Sequence, residues 1–298
     1  MYVIQKFTKT QNGEVNRMRL LTYIDEKGNL KPALEVERGR VLDIEKASSK
    51  KIKSIMELIT RMGWYEYALT LLEEKNCIEE ISLSQYRAPI YSSDKFLGVA
   101  LNYRDFCLVG GLEEPKKLKV FGKYQSSLNY DNGAFSINGQ NVTYEGELGV
   151  VIGKKCRSVK AEDALDYVLG YTIVNDLSAN NYIKEDIQLF RGKNLDGAFP
   201  FGPVIVTKDE IPDPLKLHIT TKVDNEIRQD SDTSNMIFDP FQQIEYFSQF
   251  MTLYPGDIIA TGTPAGTALQ FNPPKFLKRG QVVEITIKEI GSLKTAIK

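Results

Sequence analysis

Apolar and polar positions alternate in short runs near the start of the chain. Residues 18–24, 31–37 and 40–44 read as strands, because alternate strand residues face opposite sides. Asp25-Glu26-Lys27-Gly28-Asn29 and Arg38-Gly39-Arg40 supply hairpin turns between them. From 54 to 74 the spacing changes: Ile55, Leu58, Ile59, Met62, Tyr65, Ala68, Leu71 and Leu72 predict one or two amphipathic helices. Residues 1–88 therefore predict a small α+β N-terminal domain without a chemical cluster, and Ala88-Pro89-Ile90-Tyr91-Ser92-Ser93 marks a boundary. Residues 89–298 predict strands at 96–100, 147–152, 168–174, 204–206, 217–223, 258–261 and 282–287, with helices at 161–167 and 240–251. Strands outnumber helices, and their hairpin-like spacing does not fit strand–helix–strand units. The predicted class is α+β, mostly β: a mixed β roll and not a doubly wound sheet. No Gly-rich loop follows a strand, which argues against a nucleotide site.

The stretch Thr143-Tyr144-Glu145-Gly146-Glu147-Leu148-Gly149-Val150-Val151-Ile152-Gly153 changes this picture from architecture to chemistry. Glu145 and Glu147 project from one face of a strand whose continuation is a core segment. Two like charges on a buried face repel and are costly to desolvate, so they need a counter-charge. A hard divalent cation with oxygen ligands, Mg²⁺ above all with Mn²⁺ or Ca²⁺ as substitutes, is the simplest one. The bland alternative is a solvated pair at a strand edge.

Composition narrows the partners. A net charge of −1 over 298 residues gives no electrostatic reason to bind nucleic acid or an anionic membrane. No apolar run reaches the roughly 18–20 residues that span a bilayer, and Met1-Tyr2-Val3-Ile4-Gln5-Lys6 lacks the order of a signal peptide. The cysteines Cys77, Cys107 and Cys156 are odd in number, widely spaced and without a Cys-x-x-Cys pair, as reduced thiols of a cytoplasmic protein would be. The single histidine, His218, falls on the polar face of a strand-like run, so a Ser-His-Asp or Cys-His scheme has nothing else to draw on.

Four further segments place polar groups at strand ends. Asn102-Tyr103-Arg104-Asp105 follows one strand and Asn175-Asp176-Leu177-Ser178 ends another. Lys193 lies in a Gly- and Pro-rich loop, Arg191 to Pro203, and Pro255-Gly256-Asp257 precedes a strand that ends in Thr261-Gly262-Thr263-Pro264. Taken singly, each reads as an ordinary turn or cap. Taken in order, residues 95–290 resemble the fumarylacetoacetate hydrolase superfamily through Asn102-Tyr103-x-Asp105, Tyr144-Glu145-x-Glu147, Asn175-Asp176-x-Ser178-Ala179, Gly192-Lys193 and Thr261-Gly262-Thr263-Pro264. The resemblance implies a mixed β-roll catalytic domain, a Mg²⁺ site on Glu145, Glu147 and Asp176, and assembly as a homodimer or homotetramer. It also implies active-site lysines at Lys123 and Lys193 and a substrate-carboxylate turn at Thr263.

The chain departs from that pattern at one place. Small hydrolases of the family carry a histidine directly after the Asn-Tyr-x-Asp aspartate and a glutamate three residues later, which together activate water. Fumarylacetoacetate hydrolase itself has phenylalanine there and a histidine shortly downstream. This chain has Phe106 and Val109, and no histidine follows in that segment. A reaction through an enolate but without attacking water fits what remains. Dehydration of a 2-keto-3-deoxy sugar acid is such a reaction, and the combination resembles the archaeal-type 2-keto-3-deoxy-D-arabinonate dehydratases of the superfamily, which implies that substrate, with 2,5-dioxopentanoate as product. Glu114 and Lys184 are the expected proton-transfer pair, with Lys193 steadying the enolate and Lys123, Arg104 and Thr263 binding substrate. Glu113 and Glu114 also read as a solvated helix start before Pro115, and Lys184 as a surface lysine. The alternatives are an acylpyruvate-type hydrolase, a 2-oxo acid decarboxylase and a non-catalytic ligand-binding relative.

Overall fold

Every residue of the strand Gly146–Ile152 is buried, which requires cover on both of its faces. In the computed structural model, which describes residues 18–298, that cover comes from two directions. The strand pairs antiparallel with Val168–Asn175 on one side and Ile258–Ala260 on the other. Among the described residues the sheet has twelve strands. It continues through Phe199–Thr207, Arg19–Ile24, Leu30–Glu37, Arg40–Asp43 and Ile78–Glu80 at one end, and through Phe96–Ala100 and Lys119–Lys123 at the other. Ile258–Ala260 runs parallel to Phe96–Ala100, so the sheet is mixed.

A second sheet, of five strands among the described residues, includes His218–Val223, Val282–Ile287 and Gly291–Ile297. It covers the face that carries Leu148, Val150 and Ile152, which pack with Ile219, Ile285 and Leu293. The opposite face carries Val151, with Ile258 and Ala260 from the neighbouring strand. It packs against Ile55, Leu58, Ala68 and Leu71 of the helices Ile55–Ile59 and Trp64–Leu71. Alternation along one strand thus sends three side chains into one core and Val151 into the other, and by the same period Glu145 and Glu147 share the face of Val151.

The fold is α+β and strand-rich, as the patterns predict. The boundary drawn near residue 88 falls between Tyr86–Arg87 and Phe96–Ala100, and the main sheet runs across it, since Arg19–Ile24 pairs with Phe199–Thr207. The expected helix at 240–251 is Pro240–Phe250, capped by the Asp239 carboxylate on the N–H groups of Phe241 and Gln242. The segment Ala161–Tyr167 is 3₁₀ and not α, and it runs directly into the strand at Val168. Lys119–Lys123 and Glu226–Asp232, both at sheet edges, have no apolar alternation to reveal them. The targeting-signal reading of residues 1–6 lies outside the described residues, and among those described no helix is long and apolar enough to cross a membrane.

One buried acid ties the two sheets together. Asp131 is 3% exposed, and its carboxylate accepts the Lys294 N–H at 2.7 Å. Burial pushes its carboxyl up from the ordinary 3.8 to about 6. A folded-state value above the unfolded one means that its stabilising contribution is present at low pH and is lost as pH rises through about 6. Asp131→Asn keeps the acceptor and removes the charge. Chemical denaturation at pH 8 is expected to give a gain on the order of 2 kcal/mol that vanishes near pH 4. An equal effect at both pH values would contradict this account.

Candidate metal centre

Strand pairing brings the three expected ligands together. Gly146 is registered opposite Asn175, and one step further the Asp176 N–H donates to the Glu145 carbonyl at 2.9 Å. That step sets Asp176 beside Glu145 and Glu147, with one carboxylate oxygen of each residue lying within 4.8 Å of the others. Glu147 is 1% and Asp176 0% exposed, and the Glu145 side chain is 17% exposed, on the open side of the cluster.

Around them the fold supplies donors. Lys123, at the end of the edge strand Lys119–Lys123, donates to Asp176 Oδ1 at 2.5 Å and to the Ala198 carbonyl at 3.1 Å. Lys193, from the short helix Phe190–Lys193, donates to Asp176 Oδ2 at 2.5 Å and to Glu145 Oε2 at 2.7 Å. Ser178 donates to Glu145 Oε1 at 2.8 Å, and the Gly262 N–H donates to Glu147 Oε2 at 2.8 Å. Gly262 has φ +103°, and a Cβ there would lie 2.6 Å from Asn102 Cβ, so only glycine lets this N–H approach the carboxylate.

The charges do not balance. Three carboxylates face two ammonium groups, and Glu147 has neither ammonium as a partner. Burial, then the neighbouring charges of Asp176 and Glu145, push the Glu147 carboxyl well above its usual range. Burial also raises Glu145, against the pull of Lys193. Asp176 goes the other way: burial opposes it, but Lys123 and Lys193 hold its carboxyl below the ordinary value. Burial lowers Lys123, whereas Lys193 is raised despite burial by the carboxylates it contacts.

This set fits a hard divalent ion. The donors are oxygen only and the pocket is short of positive charge. Such an ion takes oxygen ligands at roughly 2.0–2.6 Å, and carboxylate oxygens gathered within 4.8 Å of one another are close enough to share one. Glu145, Glu147 and Asp176 could hold it.

The other expected site residues are placed differently. The Thr263 hydroxyl donates to the Gly146 carbonyl at 3.0 Å and accepts from Gln229 Nε2 at 2.7 Å, so it is engaged within the fold. Gln229 also accepts the Gly146 N–H at 2.9 Å, and so staples the turn at Thr263 to the start of the carboxylate strand. No sequence signal marked Gln229, which sits in the polar run Glu226–Asp232. Ser178 and the Gly262 N–H lay within the motifs but carried no assigned role. Arg104, the first residue of the helix Arg104–Gly110, and Glu114, beyond its end, are half exposed and 3.9 Å apart. Lys184 is exposed on the helix Asn180–Asp186 and makes no hydrogen bond or ion pair among the described residues. Neither Glu114 nor Lys184 makes a polar contact with the triad.

A strand-rich α+β fold with an oxygen-only carboxylate triad at its strand ends could hold a divalent metal. The chain belongs to the fumarylacetoacetate hydrolase family, whose C-terminal domain model matches residues 95–298. An uncharacterized protein of Staphylococcus aureus is 43% identical over 238 residues, covering 77% of this chain and 79% of its own. The structure of a fumarylacetoacetate hydrolase from the psychrophile Exiguobacterium antarcticum is similar at TM-score 0.79 and 32% identity, covering 94% of this chain and 99% of that one. A maleylpyruvate hydrolase from a Sphingobium species, solved with manganese(II) and pyruvate, is similar at TM-score 0.74 and 28% identity, covering 94% and 98%. The family is one of enzymes.

Proposed function

We propose that this chain is a divalent-metal-dependent hydro-lyase that removes water from a 2-keto-3-deoxy sugar acid, with 2-keto-3-deoxy-D-arabinonate going to 2,5-dioxopentanoate. The observation that carries the reading is the absence of a histidine base where the family's hydrolases activate water. Phe106 and Val109 occupy those positions, and the only histidine, His218, is an exposed residue whose Nε2 lies 2.7 Å from Asp230. The metal carboxylates are kept and the water activator is not. That combination suits a reaction that needs an acidified C–H and a departing hydroxyl, but no attacking water.

A bound divalent ion would supply Lewis acidity toward the 2-keto group. The chain's own groups would do the rest. Glu145, Glu147 and Asp176 fix the ion's position, and Lys123 orients Asp176. Lys193 presents its ammonium to negative charge developing on the substrate, and the Thr263 turn and Arg104 hold the carboxylate. Glu114 removes a proton from C3, and Lys184 delivers one to the departing C4 hydroxyl, so that one water leaves and the carbon chain stays intact. Loss of a C5 proton and reprotonation at C3 would then give the C4–C5 enol, which takes a proton at C4 and loses its hydroxyl proton to become the aldehyde. Assembly as a homodimer or homotetramer and a cytoplasmic setting belong to the same proposal.

An acylpyruvate-type hydrolase is the second reading. The two solved structures described above favour it, since both are hydrolases, and the second was solved with manganese(II) and pyruvate. The test is to incubate the protein with Mg²⁺ and 2-keto-3-deoxy-D-arabinonate, with an acylpyruvate in parallel, and follow both by NMR. A new aldehyde without C–C cleavage supports the dehydratase. Cleavage of the acylpyruvate with an inert sugar acid would replace it with the hydrolase.

A further inference from the structure

The two ammonium groups at the triad are not equivalent. The Lys123 side chain is 0% exposed and touches one of the three carboxylates, the rest of its bonding going to the Ala198 carbonyl. Lys193 lies across two of them, at 2.7 Å from Glu145 Oε2 and 2.5 Å from Asp176 Oδ2, with 5% of its side chain exposed. The remaining oxygens of that pair already have donors, Ser178 on Glu145 Oε1 and Lys123 on Asp176 Oδ1. A divalent ion coordinates carboxylate oxygens at roughly 2.0–2.6 Å and would share Glu145 and Asp176 with the Lys193 ammonium. Like charges on the same two carboxylates, in a pocket that screens them poorly, repel strongly.

We propose that Lys193 is a built-in counter-cation of the triad that a divalent ion must displace, so that metal arrival itself frees the Lys193 ammonium for an incoming anion. Lys123 stays on Asp176. The Phe121 ring on the edge strand already lies 4.9 Å from Lys193 Nζ, so the ammonium has one partner that does not depend on the carboxylates. Coupling of this kind would keep a mobile cation out of the open mouth of the site until the ion is in place. The proposal rests on the triad being a metal centre, but not on which reaction the centre serves.

The first test is Mn²⁺ titration, with free Mn²⁺ counted by electron paramagnetic resonance, on the wild type, Lys193→Met and Lys123→Met. Displacement predicts that Lys193→Met binds Mn²⁺ about tenfold tighter or more, while Lys123→Met, which removes a cation from only one of the three carboxylates, gains clearly less. Equal tightening in both variants would be a general charge effect and would overturn the exchange. So would unchanged or weaker binding by Lys193→Met. If the wild type itself binds no Mn²⁺, the metal centre fails together with the exchange.

The second test needs no folded variant of Lys123. In the wild type, ¹⁵N spectra of the lysine ammonium groups should show the Lys193 signal lost to fast water exchange when Mg²⁺ is added, with Lys123 unmoved. A Lys193 signal that persists unchanged at saturating Mg²⁺ would refute displacement.

Discussion

Glu147→Gln is expected to abolish Mn²⁺ binding and turnover together, and at the same time to make the protein more stable in EDTA. The two effects have opposite sign because they report on one buried charge. Glu147 is 1% exposed, and among the described residues its only hydrogen-bond donor is the Gly262 N–H, at 2.8 Å. Neither Lys123 nor Lys193 reaches it, since both are held by Asp176 and, for Lys193, by Glu145. Burial and the adjacent carboxylates raise its carboxyl, so the ionised form is unfavourable in the folded protein unless a cation is present. Glutamine keeps an oxygen for Gly262 and loses the charge. In EDTA at pH 8 the expected gain is about 1–3 kcal/mol by chemical denaturation. The sign follows from linkage: with a raised folded-state value, the wild type's contribution is present below the unfolded pKa and is lost as pH rises, and the variant is spared that loss. Calorimetry with Mn²⁺ should show affinity reduced by at least about 100-fold. A variant that melts lower than wild type in EDTA would mean that Glu147 is not short of a counter-charge.

Glu114→Gln is expected to lower kcat on 2-keto-3-deoxy-D-arabinonate by about 10²–10⁴-fold, with Mn²⁺ affinity and stability unchanged. Glu114 is half exposed, and its one ion pair among the described residues, with Arg104, is 3.9 Å long, so losing it costs the fold little. Any large loss of rate must therefore come from chemistry. Glu113→Gln is the control, because its neighbouring carboxylate has the same charge and no assigned part. Full activity in Glu114→Gln would return that residue to the surface and leave the dehydration without its base. Equal losses in both variants would point to the segment's position and not to one carboxylate.

The candidate site was partly legible because part of it is local. Glu145 and Glu147 share a face through the two-residue period of a strand, and that period holds wherever the strand lies. Asn175-Asp176 declared a strand end, and the apolar run from Leu148 declared burial. The same local logic found the hairpins near the N-terminus and the capped helix Pro240–Phe250. It missed Glu226–Asp232, because an edge strand need not alternate, and with it Gln229, whose bonds go to Thr263 and Gly146. The sequence placed Lys123, Lys193 and Thr263 in the site only through resemblance to a family. It contained no hint that the Thr263 hydroxyl is taken up by the fold.

Residue type and spacing were enough to establish a strand-rich α+β chain with a paired-carboxylate strand and no histidine base, since these follow from periodicity and composition alone. Folding settled the charge arithmetic. Lys123 lies 53 residues from Asp176 in the chain and Lys193 lies 17 from it, yet both ammonium groups end on that carboxylate while Glu147 receives none. Such a distribution depends on strand register and on which loop closes over which strand end. Register is a non-local property, fixed by how two cores pack on opposite faces of one sheet, and no window of sequence contains it.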